Sequence, residues 1–191
     1  MEKYEPKSPT QPPTHYTDYE LEYKAYCLLV HSAFEEYFEN IAINLTEITV
    51  DRWEKTKKVS ISTLALLGTH GKLKSEKTET NNQKSIIDNL SGTLLEIINT
   101  SNPKIRDKNN TIYLGTLREL LTQVGVDITN DVIKVSSLNE LIKARGDFAH
   151  KSSLLTVVQN IQPHNMKEHV DTCLEICEEV KNNAINALKI L

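Results

Sequence analysis

The stretch "SSLNELIKARGDFAHKS", Ser136 to Ser152, decides the fold class and poses the chemical question. Its spacing predicts a helix: at about 100° per residue, Leu138, Leu141, Ile142, Phe148, Ala149 and Ser152 fall in one sector. Ser137, with Glu140 three residues on, reads as a capping box that starts it. Arg145 lands near the centre of the apolar sector. A buried guanidinium without a partner is strongly unfavourable, so Arg145 must be paired or line a cleft. Glu35 and Glu36 are the carboxylates considered for that pairing. His150 lies roughly 140° from Arg145 around an ideal helix, on the flank beside Lys143. Gly146 weakens the helix by about 1 kcal/mol relative to Ala and marks a bend or a close approach of another backbone.

Working outward, the rest of the chain is also helical. Residues 16 to about 46 carry an apolar stripe of Tyr26, Val30, Ala33, Tyr37 and Ile41, widened by Leu29, Phe34 and Phe38, with Thr17 and Glu20 as a cap. A second helix is expected from about Asp51 to Leu67, ending at Gly68, and a third from about Asn82 to Asn99 with Ile86, Leu90, Leu94, Ile97 and Ile98 as its apolar set. The polar runs "GTHGKLKSEKTETNNQ" and "NTSNPKIRDKNN" read as loops. A fourth helix, about Thr111 to Val124, buries Leu114, Leu117, Leu121 and Val124, and Gly125 sits where a C-terminal glycine cap belongs. "VDITNDVIKV" reads as either a short extended connection or a helical turn. Met166, Val170, Cys173, Cys177, Val180, Ala184, Ala187 and Leu191 then alternate at helical spacings, a seam buried in a bundle or against another subunit. The expected fold is an all-α bundle of about five to six helices with a long C-terminal helix. Residues 1–15, "MEKYEPKSPTQPPTH", read as a disordered proline-rich tail, and 16–191 as a single domain.

Bulk properties narrow the function classes. A chain of 191 residues with 39% hydrophobic content suits one core. A net charge of -4 argues against bulk attraction to duplex DNA, while local basic clusters leave RNA open. Lys55, Lys57 and Lys58, or Lys72, Lys74 and Lys77, read first as solvated surface and second as a basic rim. Three cysteines without framework spacing, no apolar run long enough to span a membrane and no signal-peptide pattern make the expected location cytoplasmic.

No phosphate loop, nucleophile elbow, His-Glu-x-x-His or CxxC is present. His169, Cys173 and Cys177 recur every four residues and would suit zinc, but the two cysteines lie on the seam, where small apolar side chains are wanted; no metal or other cofactor is expected. Arg145 and His150 carry a sharper reading. Arginine offers a planar, permanently charged fork for a phosphate, and histidine can take or give a proton near neutrality. Together they suffice to cleave RNA through its own 2'-hydroxyl without a metal. The bland reading pairs Arg145 with Glu35 or Glu36 and leaves His150 exposed. Spacing alone does not choose, because an Arg followed five positions later by a His arises by accident in roughly one such chain in eight.

The context does choose. "LIKARGDFAHKS", in the penultimate helix of an all-α chain, resembles the Arg-(Asn/Asp/His)-x-x-x-His helix of the HEPN superfamily, and "LLVHSAFEEYFENI" is similar to that family's first long helix. The resemblance covers about residues 16 to 191. It implies catalytic Arg145 and His150, a homodimer whose motif helices build one composite cleft, RNA as substrate, and a toxin or phage-defence role with an antitoxin or defence partner protein. Asp147, Glu35 and Lys151 are the supporting residues, with Glu35 orienting Arg145. The position after the arginine departs from the pattern: it is Gly146, with Asp147 taking over the polar role one residue later. Some HEPN domains bind a nucleotide, an RNA or a partner protein without catalysis, and the departure keeps that alternative open.

Overall fold

The computed structural model describes residues 16–70, 82–107, 113–150 and 163–191. In them the chain forms six helices: α1 (Tyr16–Thr56), α2 (Ile61–His70), α3 (Asn82–Asp107), α4 (Leu114–Thr122), α5 (Val132–His150) and α6 (Pro163–Ala187). The fold is the expected all-α, HEPN-like bundle with a long final helix. The proline-rich segment 1–15, most of the first polar run and Lys72, Lys74 and Lys77 lie outside the described residues.

The elements differ from the expected ones where a local signal was outweighed. α1 does not stop near Thr46; it continues to Thr56. The break falls at Lys57, whose φ of 54° takes the chain out of the helix. α2 restarts behind a reciprocal cap: Ser60 Oγ accepts from the Thr63 backbone N–H, and the Ser60 N–H donates to Thr63 Oγ1, each at 3.2 Å. α2 also runs past Gly68 to His70. α3 extends to Asp107 with Pro103 inside it, so nine of the twelve residues of the second polar run are helix. Pro103 lacks the N–H for one turn bond, but its neighbour Asn102 is buried and donates to Glu47 Oε1 at 3.2 Å.

α4 ends at Thr122, and the turn that follows closes on Gly125, the expected cap glycine. Its φ is 77°, and the N–H groups of Val126 and Gly125 reach back to the carbonyls of Leu121 and Thr122 at 3.0 Å each. This pair of bonds is the Schellman arrangement, which needs a residue tolerant of left-handed φ.

Two compact units emerge. One takes the chain as far as Glu35 together with Asn130–Ile176; the other takes Glu36–Thr129 together with Cys177–Leu191. In the first, the early part of α1 packs with α5 and α6. Tyr23 meets Phe148 edge-to-face with ring centroids 5.6 Å apart, and Lys134 pairs with Glu175 at 3.3 Å. The core there holds Leu138, Leu141, Ile142, Ala144, Met166 and Cys173. In the second, Trp53 Nε1 donates to Ser91 Oγ at 3.0 Å, Tyr37 donates to the Cys177 carbonyl at 3.0 Å, and Leu94, Leu117, Leu121, Val124 and Val180 are buried.

The α6 seam is buried from Met166 to Ala187, as its spacing predicts, but Leu191 lies beyond the helix and is exposed. The chain end instead pairs with the α1–α2 link, where the Leu191 N–H donates to the Val59 carbonyl at 3.1 Å. On α1 the predicted stripe is rotated. The buried line is Tyr23, Cys27, His31, Phe34, Phe38, Ala42, Leu45 and Thr49, while Ala33 and Leu29 are exposed and Tyr26, Val30, Tyr37 and Ile41 only half-buried. Apolar character alone selects the wrong face, because the true one contains a histidine and a threonine.

Candidate active site

α5 positions Arg145. The helix starts at Val132, six residues earlier than the Ser137 cap predicts, because Asp131 caps it. Its Oδ1 accepts the backbone N–H groups of Ile133 and Lys134 at 2.8 and 3.2 Å. A carboxylate at this end also meets the positive pole of the helix. Ser137 is therefore an interior residue: it is buried, with its Oγ 3.2 Å from His169 Nδ1. Glu140, freed from any capping role, lies 3.9 Å from Lys143.

One turn at a time, Leu138, Leu141, Ile142, Ala144 and Phe148 turn into the core, and Arg145 is half-buried on that side of the helix. The predicted conflict between a cation and an apolar sector is real. Two α1 residues meet it. His31 is buried at 2% exposure, and its Nδ1 lies 3.9 Å from Oε2 of Glu35, whose side chain keeps 22% of its surface. Arg145 bears electrostatically on both.

The electrostatics follow from this placement. Burial, reinforced by the Arg145 charge, pushes the His31 imidazole down to about 4, so the ring is neutral at neutral pH. Burial raises the Glu35 carboxyl above its ordinary value, and Arg145 pulls against that rise. Glu36, the other carboxylate considered for pairing, is exposed. One turn back along the same line, burial raises the Tyr23 hydroxyl and pushes the Cys27 thiol up to about 12, so neither ionises readily.

Both ring nitrogens of His31 lack a hydrogen-bond partner among the described residues. A buried polar atom left in that state costs about 1–3 kcal/mol, so the ring calls for a reason. His31 was missed in the sequence because it is polar. The signal was present: in the row Tyr23, Cys27, His31, Phe34 and Phe38 only His31 interrupts a helical apolar line.

Of the other predicted site residues, Asp147 is half-buried on α5. His150 is the last residue of α5; its side chain and all of Lys151 lie outside the described residues. A Cβ at Gly146 would meet nothing within 4 Å, so the close backbone approach expected there is not found among the described residues. No His, Cys, Asp and Glu group among them is arranged to hold a metal. Cys173 is buried in the seam, with its thiol pushed up to about 12. No helix among the described residues is long and apolar enough to cross a membrane.

An all-α bundle that carries an arginine into a half-buried cluster on its penultimate helix is the class of protein in hand. The chain matches the family model described as RiboL-PSP-HEPN over residues 4–186 and belongs to that family. Membership supports a nuclease or nucleotide-binding HEPN module in general. No curated protein and no solved structure matches the chain.

Proposed function

We propose that this protein is a metal-independent endoribonuclease, with Arg145 holding the scissile phosphate and His150 moving a proton. The observation that carries the reading is the half-buried Arg145, whose charge acts on the partly exposed Glu35 and the neutral His31. Arginine supplies the planar, permanently charged fork that a phosphate ligand needs.

The 2'-hydroxyl of RNA attacks the adjacent phosphorus, a 2',3'-cyclic phosphate forms, and the 5'-oxygen departs with a proton from His150. Arg145 offsets the charge that builds on the phosphoryl oxygens. On a continuous α5, residues five apart are roughly 140° apart around the helix, which favours a cleft completed by the α5 of a second copy in a homodimer. A toxin or antiphage role in the cytoplasm, with a neutralising partner protein, fits such an activity. Purified protein is expected to cleave single-stranded RNA in EDTA and leave cyclic-phosphate ends. Full cleavage by the Arg145→Ala, His150→Ala double variant would overturn the reading.

The second reading is a HEPN module that binds nucleotide, RNA or a partner protein without cutting. Gly146, where the family pattern has a polar residue, favours it. Retained RNA binding with no cyclic-phosphate product in EDTA would select it.

A further inference from the structure

We propose that Glu35 is the general base of this site, taking the proton of the attacking 2'-hydroxyl, and that His31 is the positioning residue that holds it. This assignment rests on the ribonuclease reading and adds a catalytic residue to it. In-line cleavage moves two protons, one off the nucleophile and one onto the leaving oxygen, and the Arg-x4-His pair offers one proton carrier per chain.

Glu35 is suited to the first task by position. It sits one turn beyond His31 on α1, the helix that α5 meets through Tyr23 and Phe148, and the charge of Arg145 acts on it, so a phosphate bound at Arg145 comes within reach of the same stretch of α1. Of the two α1 residues it is the one a substrate can reach, since His31 is 2% exposed and Glu35 22%. A carboxyl raised by burial is also a better base than an ordinary one, because its proton affinity lies closer to the working pH. Arg145 from α5 and His31 from α1 itself bear on it.

The same step gives one of the two unpartnered ring nitrogens a role. At 3.9 Å, Nδ1 of His31 is just beyond hydrogen-bond reach of Oε2. A small rotation of Glu35 toward substrate or ring closes that gap, and Nδ1–H then donates to the carboxylate and fixes its free oxygen. Arg145 and burial keep the ring neutral, so it serves as a donor without adding a second positive charge. The balance is complete: the 2'-hydroxyl proton passes to Glu35, the 2'-oxygen bonds to phosphorus, the P–O5' bond breaks, and His150 protonates O5'.

The test uses single-stranded RNA and uridine 3'-(p-nitrophenyl phosphate), whose leaving group needs no proton. Glu35→Gln is expected to lower kcat on both substrates by about 10²–10³-fold, with KM within about threefold, and to abolish the acid limb of the kcat/KM profile. His150→Ala is expected to fail on RNA but to recover on the nitrophenyl ester to within about tenfold of wild type. His31→Phe should move the acid limb to higher pH, and His31→Gln, which restores a neutral donor, should move it back. If Glu35→Gln does not fold, a displaced acid limb in Glu35→Asp supports the same role for the carboxyl. Wild-type rates and an unmoved acid limb in the Glu35 variants overturn the proposal. So does a His150→Ala enzyme dead on the nitrophenyl ester, which would assign the base to a second copy's His150. Full RNA cleavage by the Arg145, His150 double variant would instead sink the ribonuclease reading itself.

Discussion

Nδ1 of His31 lies 3.9 Å from Oε2 of Glu35, one turn apart on α1, and the charge of Arg145 on α5 acts on both. A buried neutral imidazole and a raised carboxyl lie within the field of a half-buried arginine, where the sequence alone suggests a misplaced cation.

The His31 ring makes stability depend on acid. Its folded-state pKa is about 4 against an ordinary 6.5, lowered first by burial and then by Arg145. As pH falls the unfolded chain takes up this proton first, so the contribution of His31 is complete above 6.5 and lost progressively down to about 4. The urea midpoint of the wild type should therefore drop across that window more steeply than that of His31→Phe. Parallel curves would mean the ring is solvated.

Arg145→Lys keeps the charge and loses the planar fork. A point charge on a flexible stem cannot hold two phosphoryl oxygens at once, so RNA cleavage should fall about 10²-fold while the melting temperature stays close to wild type. Wild-type kcat in the lysine variant would reduce Arg145 to a general electrostatic attractor.

Gly146 has open space at its Cβ position. Gly146→Ala should stabilise the protein by about 1 kcal/mol, read from the denaturant midpoint, because an interior helical glycine costs backbone entropy. Gly146→Asn restores the polar residue of the family pattern and should raise kcat where Ala does not. A destabilised alanine variant would show that the site needs the backbone freedom.

Gly125 is the opposite case. Its φ is 77°, and an added Cβ would come within 3.2 Å of the side chains of both Ile61 and Ala65. Gly125→Ala should cost about 1–2 kcal/mol from the left-handed backbone, with the contacts adding to it. A thermal melt within a degree of wild type would contradict the strain argument.

What could be read in the sequence is local. Helical periodicity announced the all-α fold, the α6 seam and the inward faces of α4 and α5, and Gly125 marked its own turn, because each depends on residues a few positions apart. Helix ends were read less well where two local signals competed. Ser137 resembles a cap as much as Asp131 does, and only the packing of Ser137 against His169 decides between them. The oddity of the Arg145 charge was also visible.

Tertiary structure decided what surrounds that charge. His31 and Arg145 are more than a hundred residues apart in the chain, and no spacing rule links them. Packing α1 against α5 turns an ordinary polar residue into a buried, neutral ring and gives Glu35 a raised carboxyl. Desolvation depends on what lies on all sides of a group, which a sequence names only in part and a fold supplies in full.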